Sequence, residues 1–338
     1  MTLYLLRRLF LLAFVFLGLS LLAFSLAYLF PGDVLQNFTG LTTMSTEHAA
    51  ELQAEYRLDS GYLQQYIAYL QRIFNGNWGL SFSSNQPVLH EIQLLLPATL
   101  ELAAYALLMS FFIGIPLGIL AAIKPEGIIS RIISALAVAG FSIPVFWWAL
   151  LLIMLFSLGL GWLPTAGRVG VLYEIPHVTG FMLLDILLSN SQHQSEALID
   201  ALRHLLLPTL VLATFPTTVM IRFTRDSMLD VWEQSYIKTA RAKGLNRAQV
   251  LYRHGLRNAL LPVIRQIGLQ FSTLITLAMI TEVIFSWPGL GRWLIDSIYQ
   301  RNYPAIQAGL LVISTLVISV NMLTEILHTL FNPLARKR

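Results

Sequence analysis

The chain contains no cysteine, which excludes thiolate metal sites, cysteine nucleophiles and disulfides, and leaves the redox compartment undetermined. It is also poor in charge. Asp, Glu, Lys and Arg make up 12% of its 338 residues, against about 25% in an ordinary soluble domain, so a water-facing surface cannot be built from it. No Gly-x-x-x-x-Gly-Lys-Ser/Thr stretch occurs, so the chain has no P-loop to cradle nucleotide phosphates. The seven histidines are scattered without ligand spacing, which leaves no metal site to argue for.

What is abundant is apolar sequence, 56% of the whole. Residues 9–32, 102–123, 132–167 and 302–324 contain no Asp, Glu, Lys or Arg, and a helix needs about 20 such residues to cross the hydrocarbon. Two shorter stretches, Leu205–Ile221 and Gln266–Thr281, lie between charged residues. They fall near the lower limit of about 17 residues, which suffices because flanking charged side chains reach the headgroups. The expected fold is an all-α polytopic membrane protein with six transmembrane helices. "FMLLDILL" at Phe181–Leu188 is too short and carries Asp185, and reads as an interfacial piece. "RRLFLL" at Arg7–Leu12 is similar to a twin-arginine export signal, but the apolar run after it is too long and no small-x-small site closes it, so the first helix is expected to stay uncleaved.

Six spans place both termini and the second and fourth connections on one side. That side holds 16 of the 22 basic residues, including Arg7, Arg8, Lys124, Arg131, Arg336, Lys337 and Arg338, so the positive-inside bias makes it the cytoplasm. The outer side keeps Arg57, Arg72, Arg168, Arg203, Arg292 and Arg301, with two long connections, Pro31–Leu96 and Gly161–Arg203. In the first, Ser45 followed by Glu47 and Glu51 predicts a capped amphipathic helix, serving as a connector or as a contact for another protein. Trp162, Trp287 and Trp293 are expected at outer helix ends, where indoles anchor. The organisation is thus residues 1–32 as a first transmembrane helix, 33–95 as a periplasmic region, and 96–338 as a core of five further spans.

The fourth connection carries more positive charge than topology alone requires, and the charge is ordered. "SYIKTARAKG" from Ser235 to Gly244 has good helix formers, places Tyr236, Ala240 and Lys243 on one side, and stops at a glycine suited to a left-handed cap. Asn246 then reads as a capping residue for a second helix that leads through Pro262 into the next span. Two ordered helices with a Gly-Leu hinge between them can transmit force from a soluble partner to the spans on either side.

"TARAKGLNRAQVLYRHGLRNALLP" resembles the cytoplasmic coupling loop of the membrane subunits of ABC importers. Lys238, Thr239 and Ala240 take the places of its Glu-Ala-Ala triplet, and Gly244 that of its glycine. The missing glutamate and the longer stretch after Gly244 resemble the peptide-permease branch. "LFPGD" at Leu29–Asp33, "LPATLELA" at Leu96–Ala103, "GFSIPVFW" at Gly140–Trp147 and "FSWPGLGRWL" at Phe285–Leu294 resemble the dipeptide and oligopeptide permease family over nearly the whole chain. "GWLPTAGR" and the extended Gly161–Arg203 loop are most similar to B-type permeases of Sap peptide-uptake systems.

The resemblance implies a type I importer permease fold with a coupling helix within 222–262, a homologous permease subunit as heterodimeric partner, two cytoplasmic ATPase subunits and a periplasmic solute-binding protein. It implies peptide cargo, cationic antimicrobial peptides among them, while related permeases are associated with nickel, haem or polyamines. ATP and magnesium belong to the partner subunits; no cofactor and no nucleic acid is expected on this chain. The docking helix is expected to use Tyr236, Thr239, Ala240, Lys243, Gly244 and Leu245, with Arg241 and Arg247 at its rim; the alternative is that these cations meet only anionic membrane lipid.

A path through the spans should show as a polar stripe. Gln266, Gln270 and Thr273 are spaced by four and three, and Thr214, Thr217 and Thr218 lie beside Pro216; the same side chains also suit interhelical hydrogen bonding. Glycines and prolines in "GIPLG" at Gly114–Gly118 and "GFSIP" at Gly140–Pro144 suit either close helix packing or a moving hinge. An ion-coupled carrier would need ionisable groups at mid-membrane, and the middle third of each span has none. An intramembrane enzyme would need a nucleophile and base at depth, and no such constellation occurs.

Overall fold

The computed structural model describes residues 2–41, 45–189 and 192–331. In chain order the helices are α1 (Thr2–Leu29), α2 (Val34–Thr39), α3 (Thr46–Glu55), α4 (Tyr62–Phe74), α5 (Val88–Ile123), α6 (Ile128–Ser142), α7 (Val145–Leu152), α8 (Met182–Leu188), α9 (Gln194–Trp232), α10 (Ser235–Ala242), α11 (Arg247–Val250), α12 (Leu256–Ile284), α13 (Leu290–Tyr299) and α14 (Tyr303–Phe331). Wider π-type turns prolong α7 over Ile153–Gly159 and α11 over Leu251–Gly255. Arg336, Lys337 and Arg338, counted above toward the basic side, lie outside the described residues.

Among these, α1, α5, α9 and α14 are long and apolar enough to cross a membrane, and Gly268–Ile284 in α12 is a shorter apolar helix. The window at 132–167, expected as one span, is broken: α6 and the α7 helix meet at an angle of 104°. Proline explains the break. Pro144 offers no amide hydrogen, and Ile143 before it is extended at φ −78°, ψ 123°, as the residue preceding a proline prefers. α9, at 39 residues, is roughly 58 Å long, well beyond the bilayer core. The connection expected to run from Gly161 to Arg203 therefore ends earlier, with Arg203 already helical.

The chain divides into two compact units, one of residues 1–99 with 288–319, the other of residues 100–287 with 320–338. The first unit has an aromatic core in which Phe24, Phe38 and Tyr69 pack together, with the Arg72 guanidinium 3.1 Å from the centre of the Tyr56 ring. Burial pushes the Arg72 pKa below its ordinary value, and the same burial raises the Tyr56 hydroxyl. α3 starts as expected, with Ser45 Oγ accepting from His48 N–H at 3.2 Å.

The second unit is organised around α9, which packs against α6, α7, α8 and α12. Glycine sets how closely α5 and α6 approach α9. A Cβ on Gly114 would lie 2.6 Å from Met220 Cβ, one on Gly118 2.7 Å from the Ile221 carbonyl oxygen, and one on Gly140 2.8 Å from Thr218 Cγ2. Of the two readings of "GIPLG" and "GFSIP", close packing is therefore the one seen at these glycines.

Candidate functional site

The fourth connection folds as an elbow of two helices rooted in the second unit. α10 ends in a Schellman turn: Gly244 is left-handed at φ +83° and Leu245 N–H donates to the Ala240 carbonyl at 3.4 Å, as the glycine after Ala242 and Lys243 required. α11 opens on a reciprocal capping box, with Gln249 N–H donating to Asn246 Oδ1 at 2.8 Å and Asn246 N–H to Gln249 Oε1 at 3.0 Å. Two orphan amides are thereby satisfied at once.

Ile237, fully buried, and Ala240 pack with Ala122 of α5, Met228 and Val231 of α9, and Ala259 of α12. The elbow is thus clamped to three long helices. Tyr236 is 40% exposed, and its hydroxyl accepts from Asn258 Nδ2 at 3.0 Å, tying α10 to α12. Thr239, Lys243 and Gly244 are exposed, Leu245 is half-buried, and Lys238 joins the exposed face. The backbones of Arg241 and Arg247 lie in α10 and at the start of α11; their side chains lie outside what is described. Expected as a small surface allowing a partner close, Ala240 instead faces inward: Ile237 and Ala240, three apart, share the face that packs on α9. Beside the elbow, Ile123, Pro125, Leu229, Trp232, Val250 and Tyr252 line a cleft of about 720 Å³.

The residues proposed for a path divide between roles. Thr214, Thr217 and Thr218 line a cavity of about 210 Å³ with Met109, Ile113 and Leu136. Their hydroxyls donate back to the carbonyls of Leu210, Ala213 and Phe215, each at 2.7 Å, and the methyls of Thr214 and Thr218 face Gly140. Their visible work is helix packing. Trp148 adds an indole donor to Thr214 Oγ1 at 3.1 Å. On α12, Gln266 and Thr273 are half-buried, whereas Gln270 is buried with no donor to its Oε1 among the described residues. The stripe does not form one open face. Pro216 does not interrupt α9, which runs on to Trp232.

A polar knot in the second unit escaped the sequence reading. Glu101 on α5, 2% exposed, pairs with Arg168 and accepts from the amides of Met182 and Leu183, each at 3.2 Å. Arg168 also donates to the Gly180 carbonyl at 2.9 Å and lies 5.4 Å from the Trp287 ring. Trp287 is 1% exposed, so it is a buried platform for this cation and not the interfacial anchor expected. Asp185, expected at a membrane surface, is buried and accepts from the Thr179 amide and hydroxyl and the Gly180 amide. Burial alone would raise its pKa, but these hydrogen bonds outweigh that and hold the carboxyl below its ordinary value. The pairing joins residues 67 apart; the only local signal was an arginine and an acid each adjoining an apolar run.

Residues 114–337 match the family described as binding-protein-dependent transport system inner membrane component, and residues 1–103 match the N-terminal region of such components. The di/tripeptide transport system permease protein DppB of Pseudomonas aeruginosa is 46% identical over 98% of this chain and 97% of its own. The peptide transport system permease protein SapB of Salmonella typhimurium is 43% identical over 100% of this chain and 98% of its own. The putrescine export system permease protein SapB of Escherichia coli K12 is 42% identical over the same shares. A solved structure of the MetNI methionine ABC transporter, inward-facing, superposes with a TM-score of 0.51 at 18% identity, covering 70% of this chain and 93% of that one. At that identity the likeness speaks for the fold.

Proposed function

The chain belongs to the binding-protein-dependent transport system inner membrane component family, and from that premise we propose that it is one of two homologous permease subunits of an ATP-driven peptide importer. It is a multi-pass inner-membrane permease subunit and not itself an enzyme; ATP and magnesium are held by two cytoplasmic ATPase subunits. Both termini and the elbow face the cytoplasm, and a solute-binding protein delivers cargo at the opposite surface.

The observation that carries this reading is the elbow. Its outer face offers Lys238, Thr239, Lys243 and Gly244 to a partner, while its inner face is locked by Ile237 and Ala240 into α5, α9 and α12. A push on α10 therefore reaches α9 and α12, which carry the threonine and glutamine residues proposed for the path. ATPase closure and opening would tilt these helices and alternate the access of the path between inward and outward. Cations on the exposed face suit acidic groups on the ATPase surface.

Purification of the chain with its partner permease and the ATPase subunits, followed by reconstitution with the binding protein, tests this. Uptake of di- and tripeptides that requires ATP and all subunits is expected; uptake by this chain alone sinks the reading. Because one relative is named for putrescine export, labelled putrescine belongs in the same assay, and its transport to the exclusion of peptides would replace the cargo.

A further inference from the structure

The break between α6 and α7 carries a second feature. At Ile143–Pro144 the chain turns through 104° within an uncharged window of 132–167, and non-helical backbone at membrane depth is tolerated only where protein buries it or water reaches it. This chain buries it only in part: Ile143 is half-buried with its amide donating to the Ala139 carbonyl at 3.2 Å, whereas Ser142 and Pro144 are exposed and Phe141 is 44% exposed. Broken helices of this kind bring backbone carbonyls to substrate sites in membrane carriers.

Arg222 of α9 lies over the same point. Its guanidinium is 5.6 Å from the Phe141 ring, and Phe141 stacks on Phe215 with centroids 5.1 Å apart at 28°. Gly140 sits against Thr214 and Thr218, so Phe141 is level with residues 214–218 of α9. Arg222 thus reaches back into the span, away from the charged end of α9, whereas an arginine facing lipid extends to the headgroups. Among the described residues no carboxylate pairs with it.

We propose that Arg222, Phe141 and Phe215, at the α6–α7 break, form a subsite for the carboxylate of the transported peptide and the apolar side chain next to it. This rests on the peptide-permease reading. The guanidinium fork matches a carboxylate bidentately, and the stacked rings offer an apolar face. A diamine has no carboxylate and is repelled by the arginine, so the subsite favours peptide over polyamine.

The absence of cysteine from the chain allows a direct test in the reconstituted complex. Ser142→Cys, a near-isosteric change, is exposed to a hydrophilic anionic and a hydrophilic cationic methanethiosulfonate, with and without nucleotide. Both reagents are expected to label it, with the anion-to-cation rate ratio falling about tenfold when Arg222→Gln is added. No labelling in any state, because lipid or the partner subunit covers the break, overturns the proposal, as does a ratio indifferent to Arg222.

Uptake supplies the second arm: Arg222→Gln should lower the preference for a free-carboxylate peptide over its C-terminal amide about tenfold, with Arg222→Lys intermediate. Equal loss for both peptides would leave Arg222 only a partner of the α6 terminus and overturn the subsite. A wild-type complex without ATP-driven peptide uptake would fail the peptide-permease reading itself; normal uptake with unchanged preference in the variant would fail the subsite alone.

Discussion

Replacing Arg168 by methionine should destabilise the second unit far more than the loss of one hydrogen-bonded contact suggests. The side chain is 9% exposed and that of Glu101 1%, so removing the cation leaves a buried carboxylate held by the amides of Met182 and Leu183. Breaking one partner of a buried pair costs about 3–5 kcal/mol, because the remaining charge is uncompensated. The Gly180 carbonyl loses its donor as well, adding about 1 kcal/mol. Glu101→Gln alone strands the guanidinium and should cost a similar amount.

The double variant Glu101→Gln/Arg168→Met removes both charges and leaves the glutamine oxygen to accept from the amides, so its cost should fall at least about 2 kcal/mol short of the sum. Thermal unfolding in detergent, followed by tryptophan fluorescence, reads this out. Buried Trp287 beside Arg168 is one of the seven tryptophans that contribute to the signal. The single variants should lose on the order of 10 °C, from a few degrees per kcal/mol, and the double variant markedly less than both together. Strict additivity would refute the idea that the two residues stabilise the fold as a pair.

Three other outcomes follow from the geometry. Gly118→Val should cost about 1–3 kcal/mol by overpacking, since even a Cβ there would meet the Ile221 oxygen and Thr224 Cβ at 2.7 Å; thermal melts check it. Ile237→Ala, at a fully buried position under the elbow, should cost about 2–5 kcal/mol and raise proteolysis between Ser235 and Gly255. The lowered pKa of Asp185 contributes stability that is complete above the ordinary carboxylate range near pH 3.9 and is lost as pH falls through the lower folded value. Asp185→Asn should flatten that acid limb of a stability–pH profile, and an unchanged limb would count against it.

Much of this was legible locally. The uncharged windows announced the spans, Gly244 its left-handed turn, and Asn246 and Ser45 their caps, because each depends on neighbours within a few residues. The break at Pro144 was legible only in part: "GFSIP" stood out as a packing or hinge site, but hydropathy is indifferent to a bend, and with both α6 and α7 apolar the charge-free window looked like one span. Inward-facing Ala240 was missed because helical spacing groups it equally well with Tyr236 and Lys243 or with Ile237, and only packing on Met228 and Val231 decides. The threonines beside Pro216 line a cavity while each hydroxyl also bonds its own helix, and polarity in the sequence does not separate the two roles. The Glu101–Arg168 pair was beyond local reading, since nothing in either segment specifies a partner in the other.

The claim that most depends on measurement is that the elbow takes force from a partner at Gly244. A Cβ there meets nothing within 4 Å in this chain and φ is +83°, so alanine and tryptophan should carry the same backbone strain, about 1–2 kcal/mol, and differ only in what they present outward. Binding-protein-stimulated ATP hydrolysis by complexes carrying Gly244→Ala and Gly244→Trp separates the two effects. Equal thermal stability, with stimulation largely kept by alanine and lost by tryptophan, is the expected result; equal stimulation in both would place the transmitting contact elsewhere.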